Sequence, residues 1–237
     1  MTYLMILAIV GAIGGFCVYM SQPRPNKPPA VKTVGMYGDS ITSGDGLNPR
    51  PVARMTELAK GAWVGLDYSL GGSTVMDAVA GTDPRVPFGP WEKHMKIDTS
   101  SVIVIGYAGA TALRYPDKID EYTRLLEQMI VQAEWQGKIV VLRGMSHVPD
   151  LIKGYSNTDS IRLNKALADF DQRTREIASR LDLRFVDLRL LPFAGQSDLI
   201  DEVHPIQAYS DRISAHTVAT VNAAFEGQKD EIFNNSF

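Results

Sequence analysis

Five short runs rich in apolar and β-branched residues alternate with longer segments of helical periodicity, and this alternation limits the fold more than any other feature of the chain. The runs are Val31 to Tyr37 (VKTVGMY), Ala62 to Tyr68 (AWVGLDY), Ser101 to Tyr107 (SVIVIGY), Lys138 to Met145 (KIVVLRGM) and Leu183 to Leu188 (LRFVDL). Each reads as a strand. SVIVIGY is apolar without interruption, as in a strand covered on both faces, and is the predicted central one. From Pro116 to Gln136 a 3.6-residue stripe runs through Ile119, Tyr122, Leu125, Leu126, Met129, Ile130 and Ala133 and stops at Gly137, which predicts a helix. Further helices are predicted over Pro51 to Lys60, Asp159 to Leu181 and Ile206 to Phe225. Strands alternating with helices build right-handed βαβ units. The expected architecture is a three-layer α/β/α sandwich with a mostly parallel five-stranded sheet, whose site lies at the carboxyl ends of the strands.

Composition narrows the function. Hydrophobic residues make up 45% and charged residues 22% of the chain, as in a packed globular domain. A net charge of -3 without a basic stripe argues against nucleic-acid binding. The single cysteine, Cys17, lies in the apolar N-terminal stretch, so the domain after it has neither a disulfide nor a thiolate-held metal. His94, His147, His204 and His216 show no HExxH or HxH spacing, and no metal or cofactor is expected.

Two short motifs carry the chemistry. Gly38-Asp39-Ser40 stands at the carboxyl end of the first predicted strand, where a nucleophile would sit. A serine hydroxyl needs a base and an acid that orients the base. Asp201-Glu202-Val203-His204-Pro205 supplies both within one turn, with Asp201 able to fold back on the His204 imidazole. Taken alone, Ser40 could equally be a turn residue; the second motif favours the Ser40, Asp201, His204 triad. Asp39 is either a brace for its own turn or a second acid in contact with substrate. His147, after the fourth strand, is either a cleft residue or incidental. His94 and His216 read as surface or packing residues, Trp63 and Trp135 as core, and Trp91 as a wall of the site.

VGMYGDSITSG and DEVHP, some 160 residues apart, together resemble the first and last blocks of the SGNH/GDSL hydrolase family, a likeness that runs from about Val31 to Phe225. The resemblance implies a flavodoxin-like SGNH hydrolase fold and a serine esterase that works through an acyl-enzyme, without cofactor. Its substrates would be small acyl esters or acetylated glycans. The family's oxyanion hole would comprise the N–H of Ser40 and that of Gly72, or alternatively Gly71, in DYSLGGST (Asp67 to Thr74). The third block departs from the family pattern: where Gly-x-Asn-Asp is expected, the chain reads Ala108-Gly109-Ala110-Thr111. Thr111, or a backbone N–H near Gly109, is the expected stand-in, and Asp39, Thr111 and His147 are the further candidates for substrate contact. The alternatives are an inactive protein of this fold that binds glycan or serves as a membrane-tethered scaffold, and an acyltransferase.

Leu4 to Tyr19 carries no charge, and with its uncharged neighbours it approaches bilayer-crossing length. No basic residues precede it and no small-x-small site follows, so residues 1–20 read as an uncleaved anchor rather than a removed signal. Residues 21–30, with four prolines, read as a semi-rigid linker to a domain spanning 31–237. Arg24, Lys27 and Lys32 favour a cytoplasmic domain by the positive-inside tendency. An anchor and Pro-rich spacer ahead of a hydrolase favour the outside, and an extracytoplasmic domain is the expectation.

Overall fold

The computed structural model describes residues 31–86, 88–148, 156–201 and 203–234. In chain order the elements are β1 (Thr33–Gly38), α1 (Ser40–Ser43), α2 (Pro51–Leu58), β2 (Val64–Asp67), α3 (Val75–Ala80), α4 (Trp91–Met95), β3 (Val102–Gly106), α5 (Ala108–Arg114) and α6 (Ile119–Trp135). They continue with β4 (Ile139–Arg143), α7 (Asn157–Arg180), β5 (Arg184–Val186) and α8 (Gln207–Asn234). The sheet runs β2-β1-β3-β4-β5 with every pairing parallel, so SVIVIGY does supply the middle strand.

Alternation along each strand separates two cores. Ile103, Ile105, Val140 and Leu142 face one helical layer, where they meet Met129 and Ile130 of α6 and Leu167 and Phe170 of α7. Val102, Val104 and Val141 face the other, against Val52 and Met55 of α2 and Tyr209, Ile213 and Val221 of α8. Fully burying one such side chain is worth about 1.5–3 kcal/mol, which is why β3 is buried along its whole length. The result is the expected three-layer α/β/α sandwich.

Four helices depart from the sequence reading. The residues after Gly38, for which the sequence predicts no helix, begin with α1, whose first turn is capped by Asp39. A reciprocal Thr74–Asp77 capping box starts α3 and left-handed Gly81 ends it. These helices, with α4 and α5, have four to seven residues, too few to display a stripe; caps and packing define them. The last strand stops at Val186, because the Asp187 side chain accepts the Arg189 N–H and starts a 3₁₀ turn over Leu188–Leu190. The final helix continues past Phe225 to Asn234. The anchor and linker readings of residues 1–20 and 21–30 lie outside the described residues, among which no helix is long and apolar enough to cross a membrane.

Two tryptophans differ from expectation. Trp135 is 87% exposed at the end of α6 rather than in the core. Trp91 is buried away from any opening, its Nε1–H donating to the Met129 carbonyl at 3.1 Å within a cluster of Tyr37, Tyr68, Phe88 and His94 rings. Inside that cluster the Tyr37 hydroxyl donates to Asp98 Oδ2 at 2.7 Å and lies 2.7 Å from His94 Nε2. A carboxylate only accepts, so Nε2–H must donate to the Tyr37 oxygen. Burial lowers the His94 pKa below 6.5, with Lys138 adding to the effect and Asp98 opposing it. The unfolded chain therefore binds the proton more readily. The His94 contribution to stability is full above about pH 6.5 and is lost as the pH falls from there through the lower folded-state value. Chemical denaturation between pH 7 and 5 is expected to show stability falling with pH. His94→Gln, which keeps a donor but does not titrate, is expected to flatten that slope.

Candidate functional site

The carboxyl end of β1 is shaped by glycine. A Cβ on Gly38 would lie 2.1 Å from Thr42 Oγ1 and 2.7 Å from the Gly106 carbonyl, so only glycine lets α1 fold back over the strand end. Asp39, 2% exposed, accepts the Ile41 N–H at 3.1 Å and the Ala110 N–H at 2.9 Å, which ties α1 to the start of α5. Burial raises its pKa; the Arg143 guanidinium and the two N–H groups pull the other way. Asp39 is thus a brace whose oxygens are engaged, although it borders the opening beside Ser40. Arg143, 3% exposed at the end of β4, lies across Gly106, where a Cβ would come within 2.9 Å of its Nε, and donates from Nη2 to Thr42 Oγ1. Gly106 thereby makes room for a buried cation, and Gly38 for the helix above it that presents Ser40.

The second motif closes on the first. Asp201 Oδ1 accepts the N–H groups of Val203 and His204, both at 2.8 Å, and Oδ2 lies 2.7 Å from His204 Nδ1. Burial works against the Asp201 carboxylate, but these bonds outweigh it and hold its pKa low. The loop is itself fixed: the Ile200 N–H donates to the His204 carbonyl at 2.8 Å, and the Ile206 N–H to the Asp198 carbonyl at 2.9 Å. His204 Nε2 then lies 2.9 Å from Ser40 Oγ, across 164 residues of sequence. Nδ1–H faces the carboxylate, which leaves Nε2 to accept the hydroxyl proton. Such a line can draw a proton from a serine as its oxygen attacks.

Ser40 and His204 open onto a cavity of about 520 Å³ at the carboxyl ends of β1, β3 and β4, bordered also by Gly72, Gly109 and Met145. Among the described residues no three His, Cys, Asp or Glu side chains gather as metal ligands.

No family model and no curated protein matches the sequence. Solved structures do match the fold. A G-D-S-L family protein from Desulfitobacterium hafniense is 12% identical with a TM-score of 0.59, over 80% of this chain and 99% of its own. The psychrotrophic esterase EstA from Pseudoalteromonas is 14% identical with a TM-score of 0.61, over 82% and 99%. Axe2, an acetylxylan esterase from Geobacillus stearothermophilus, is 18% identical with a TM-score of 0.60, over 80% and 94%. The chain has the SGNH/GDSL hydrolase fold.

Against the block pattern of SGNH proteins, the second block falls at the cavity. Gly72 has φ +74° and a Cβ on it would meet nothing within 4 Å, whereas one on Gly71 would strike Asp45 at 2.6 Å. Arg114 fixes this turn by donating to the Gly72 carbonyl at 3.0 Å and pairing with Asp77 at 3.3 Å. Gly72→Ala is expected to lose about 1–2 kcal/mol from the left-handed backbone and to raise KM, because its methyl would project into the cavity. Thermal unfolding and steady-state kinetics check the two effects separately.

Two expected contacts are placed elsewhere. Thr111 is fully buried, its hydroxyl donating to the Tyr107 carbonyl at 2.6 Å and accepting the Val75 N–H at 3.2 Å, so it joins α5 to α3 and does not border the cavity. His147 stacks on Phe193 with ring centres 5.1 Å apart, and its Nε2 lies 3.1 Å from the Arg189 carbonyl, also outside the cavity. Of the third block, Ala108, Gly109 and Ala110 border the opening, and the Ala110 N–H is taken by Asp39. Arg143 leaves one signal in the sequence, a charge within the otherwise apolar run IVVLRGM.

Proposed function

We propose that this chain is a serine esterase that cleaves carboxylic esters through an acyl-enzyme on Ser40. The observation that carries the reading is the unbroken line from Asp201 through His204 to Ser40 at the mouth of the cavity. In this reading His204 Nε2 takes the Ser40 proton while Oγ bonds to the carbonyl carbon, and Asp201 stabilises the imidazolium. The N–H groups of Ser40 and Gly72 face the developing oxyanion. His204 returns the proton to the departing alkoxide. Water, activated by the same base, then frees the acid and restores Ser40. Loss of one oxyanion donor costs on the order of 10²- to 10³-fold, so the asparagine missing from the third block would slow such an enzyme without silencing it.

Fold relatives named as an esterase and an acetylxylan esterase support ester cleavage as the reaction class and keep an acetylated glycan among the candidate substrates. The uncharged segment Leu4 to Tyr19 supports a membrane tether, with the domain outside the cytoplasm as part of the proposal. The full chain is expected to hydrolyse p-nitrophenyl butyrate with a rapid burst of p-nitrophenolate equal to the enzyme concentration whenever deacylation is the slower step. A rate no greater than that of buffer would contradict the esterase reading.

A further inference from the structure

From the walls of the cavity we infer that the acyl group transferred to Ser40 is a medium-length apolar chain, butyryl to octanoyl, rather than the acetyl group of a glycan. This rests on the esterase reading above and specifies its substrate. Beyond Ser40 the cavity is walled on one side by Leu113 of α5, Leu167 of α7, and Met145 and Val148 after β4. Leu167 is 1% and Met145 8% exposed, and both belong to the main core, so this wall is set by close packing. The Met145 backbone is pinned as well, its N–H donating to buried Asp171 of α7 at 2.8 Å.

Most of the charged side chains that line the cavity are held by protein partners, the exceptions being exposed Asp45, 3.9 Å from Arg50, and the Nε of buried Arg143, which has no hydrogen-bond partner among the described residues. Asp39 holds two backbone N–H groups, Asp201 holds His204, Arg143 holds Thr42, and Arg114 holds the Gly72 carbonyl and Asp77. Among the described residues no Phe, Tyr or Trp ring and no Asn or Gln amide lines the cavity. A sugar buried here would find few side-chain partners for its several hydroxyls, an unfavourable exchange for the water they lose. An alkyl chain loses nothing of that kind and gains with each methylene it buries. Ile200, 62% exposed at the rim, extends the apolar path outward.

The test measures kcat/KM of the full chain on p-nitrophenyl acetate, butyrate, hexanoate and octanoate, and its release of acetate from acetylated xylan, with Ser40→Ala as the blank. Two added methylenes are expected to raise kcat/KM about tenfold or more from acetate to butyrate, with the advantage kept through octanoate. Acetylated xylan is expected to yield no acetate above the blank. Leu113→Trp, at a partly buried position on the cavity wall, is expected to lower the octanoate-to-butyrate ratio by about tenfold, with circular dichroism to show that the variant is folded. A preference for acetate, or efficient deacetylation of xylan, would overturn the inference and leave the esterase standing. Hydrolysis of none of these esters would overturn the esterase reading, and this inference with it.

Discussion

Replacing Ser40 by alanine is expected to lower kcat on p-nitrophenyl butyrate by about 10⁵- to 10⁶-fold, with KM close to its original value. The size follows from what is removed. The side chain is half-buried at the head of α1, and its Oγ accounts for one hydrogen bond, to His204, so the fold loses little while the nucleophile is lost. His204→Ala is expected to cost about as much, and the double variant scarcely more, because both residues act on the same proton. Asp201→Ala removes the group that orients the imidazole and accepts two backbone N–H groups, and its expected loss is roughly 10⁴-fold. Steady-state kinetics, with circular dichroism to show that each variant is folded, decides these points. A fall of less than about tenfold in Ser40→Ala would place the chemistry on another group.

The largest expected effect on stability is at Arg143. Methionine there would fill much of the same volume but would leave the buried Asp39 carboxylate without its cation and Thr42 without its donor. Losing that donor and the offsetting charge costs about 1–3 kcal/mol. For a domain of this size that is a fall in melting temperature of roughly 2–12 °C. Arg143→Lys keeps the charge but not the planar fork that lies across Gly106, so it is expected to recover the loss only in part. Asp39→Asn in the Arg143→Met background removes the stranded charge, and the double variant is expected to be more stable than the sum of the two single losses. Strict additivity in calorimetry would mean that the two side chains do not sense each other.

Much of this fold could be read before any coordinates because its long-range layout is written in periodicity. SVIVIGY could be covered only on both faces, and the stripe from Ile119 to Ala133 could serve only one side of a helix. The short helices α1, α3, α4 and α5 left no stripe, since Asp39, Thr74 and packing against neighbours define them. At the site, Ser40, Asp201 and His204 were legible because each motif carries its own turn, and the alternating topology brings the two turns together. Position along the chain singles out Thr111 and His147 but does not tell where a side chain points; a hydroxyl four residues after a carbonyl, as Thr111 is after Tyr107, can instead bond back within its helix. Arg143 was hidden for the opposite reason. Its role depends on Gly106 in the neighbouring strand and on Thr42 in α1, and no pattern along one segment records that.

Covalent labelling shows whether Ser40 is the nucleophile. The full chain would be treated with a fluorophosphonate, digested, and sequenced by mass spectrometry. One stoichiometric adduct is expected, on Ser40, formed at a rate that collapses in His204→Ala because the base no longer activates the hydroxyl. Esterase activity that survives with no adduct at Ser40, or with the label on another residue, would contradict Ser40 as the nucleophile.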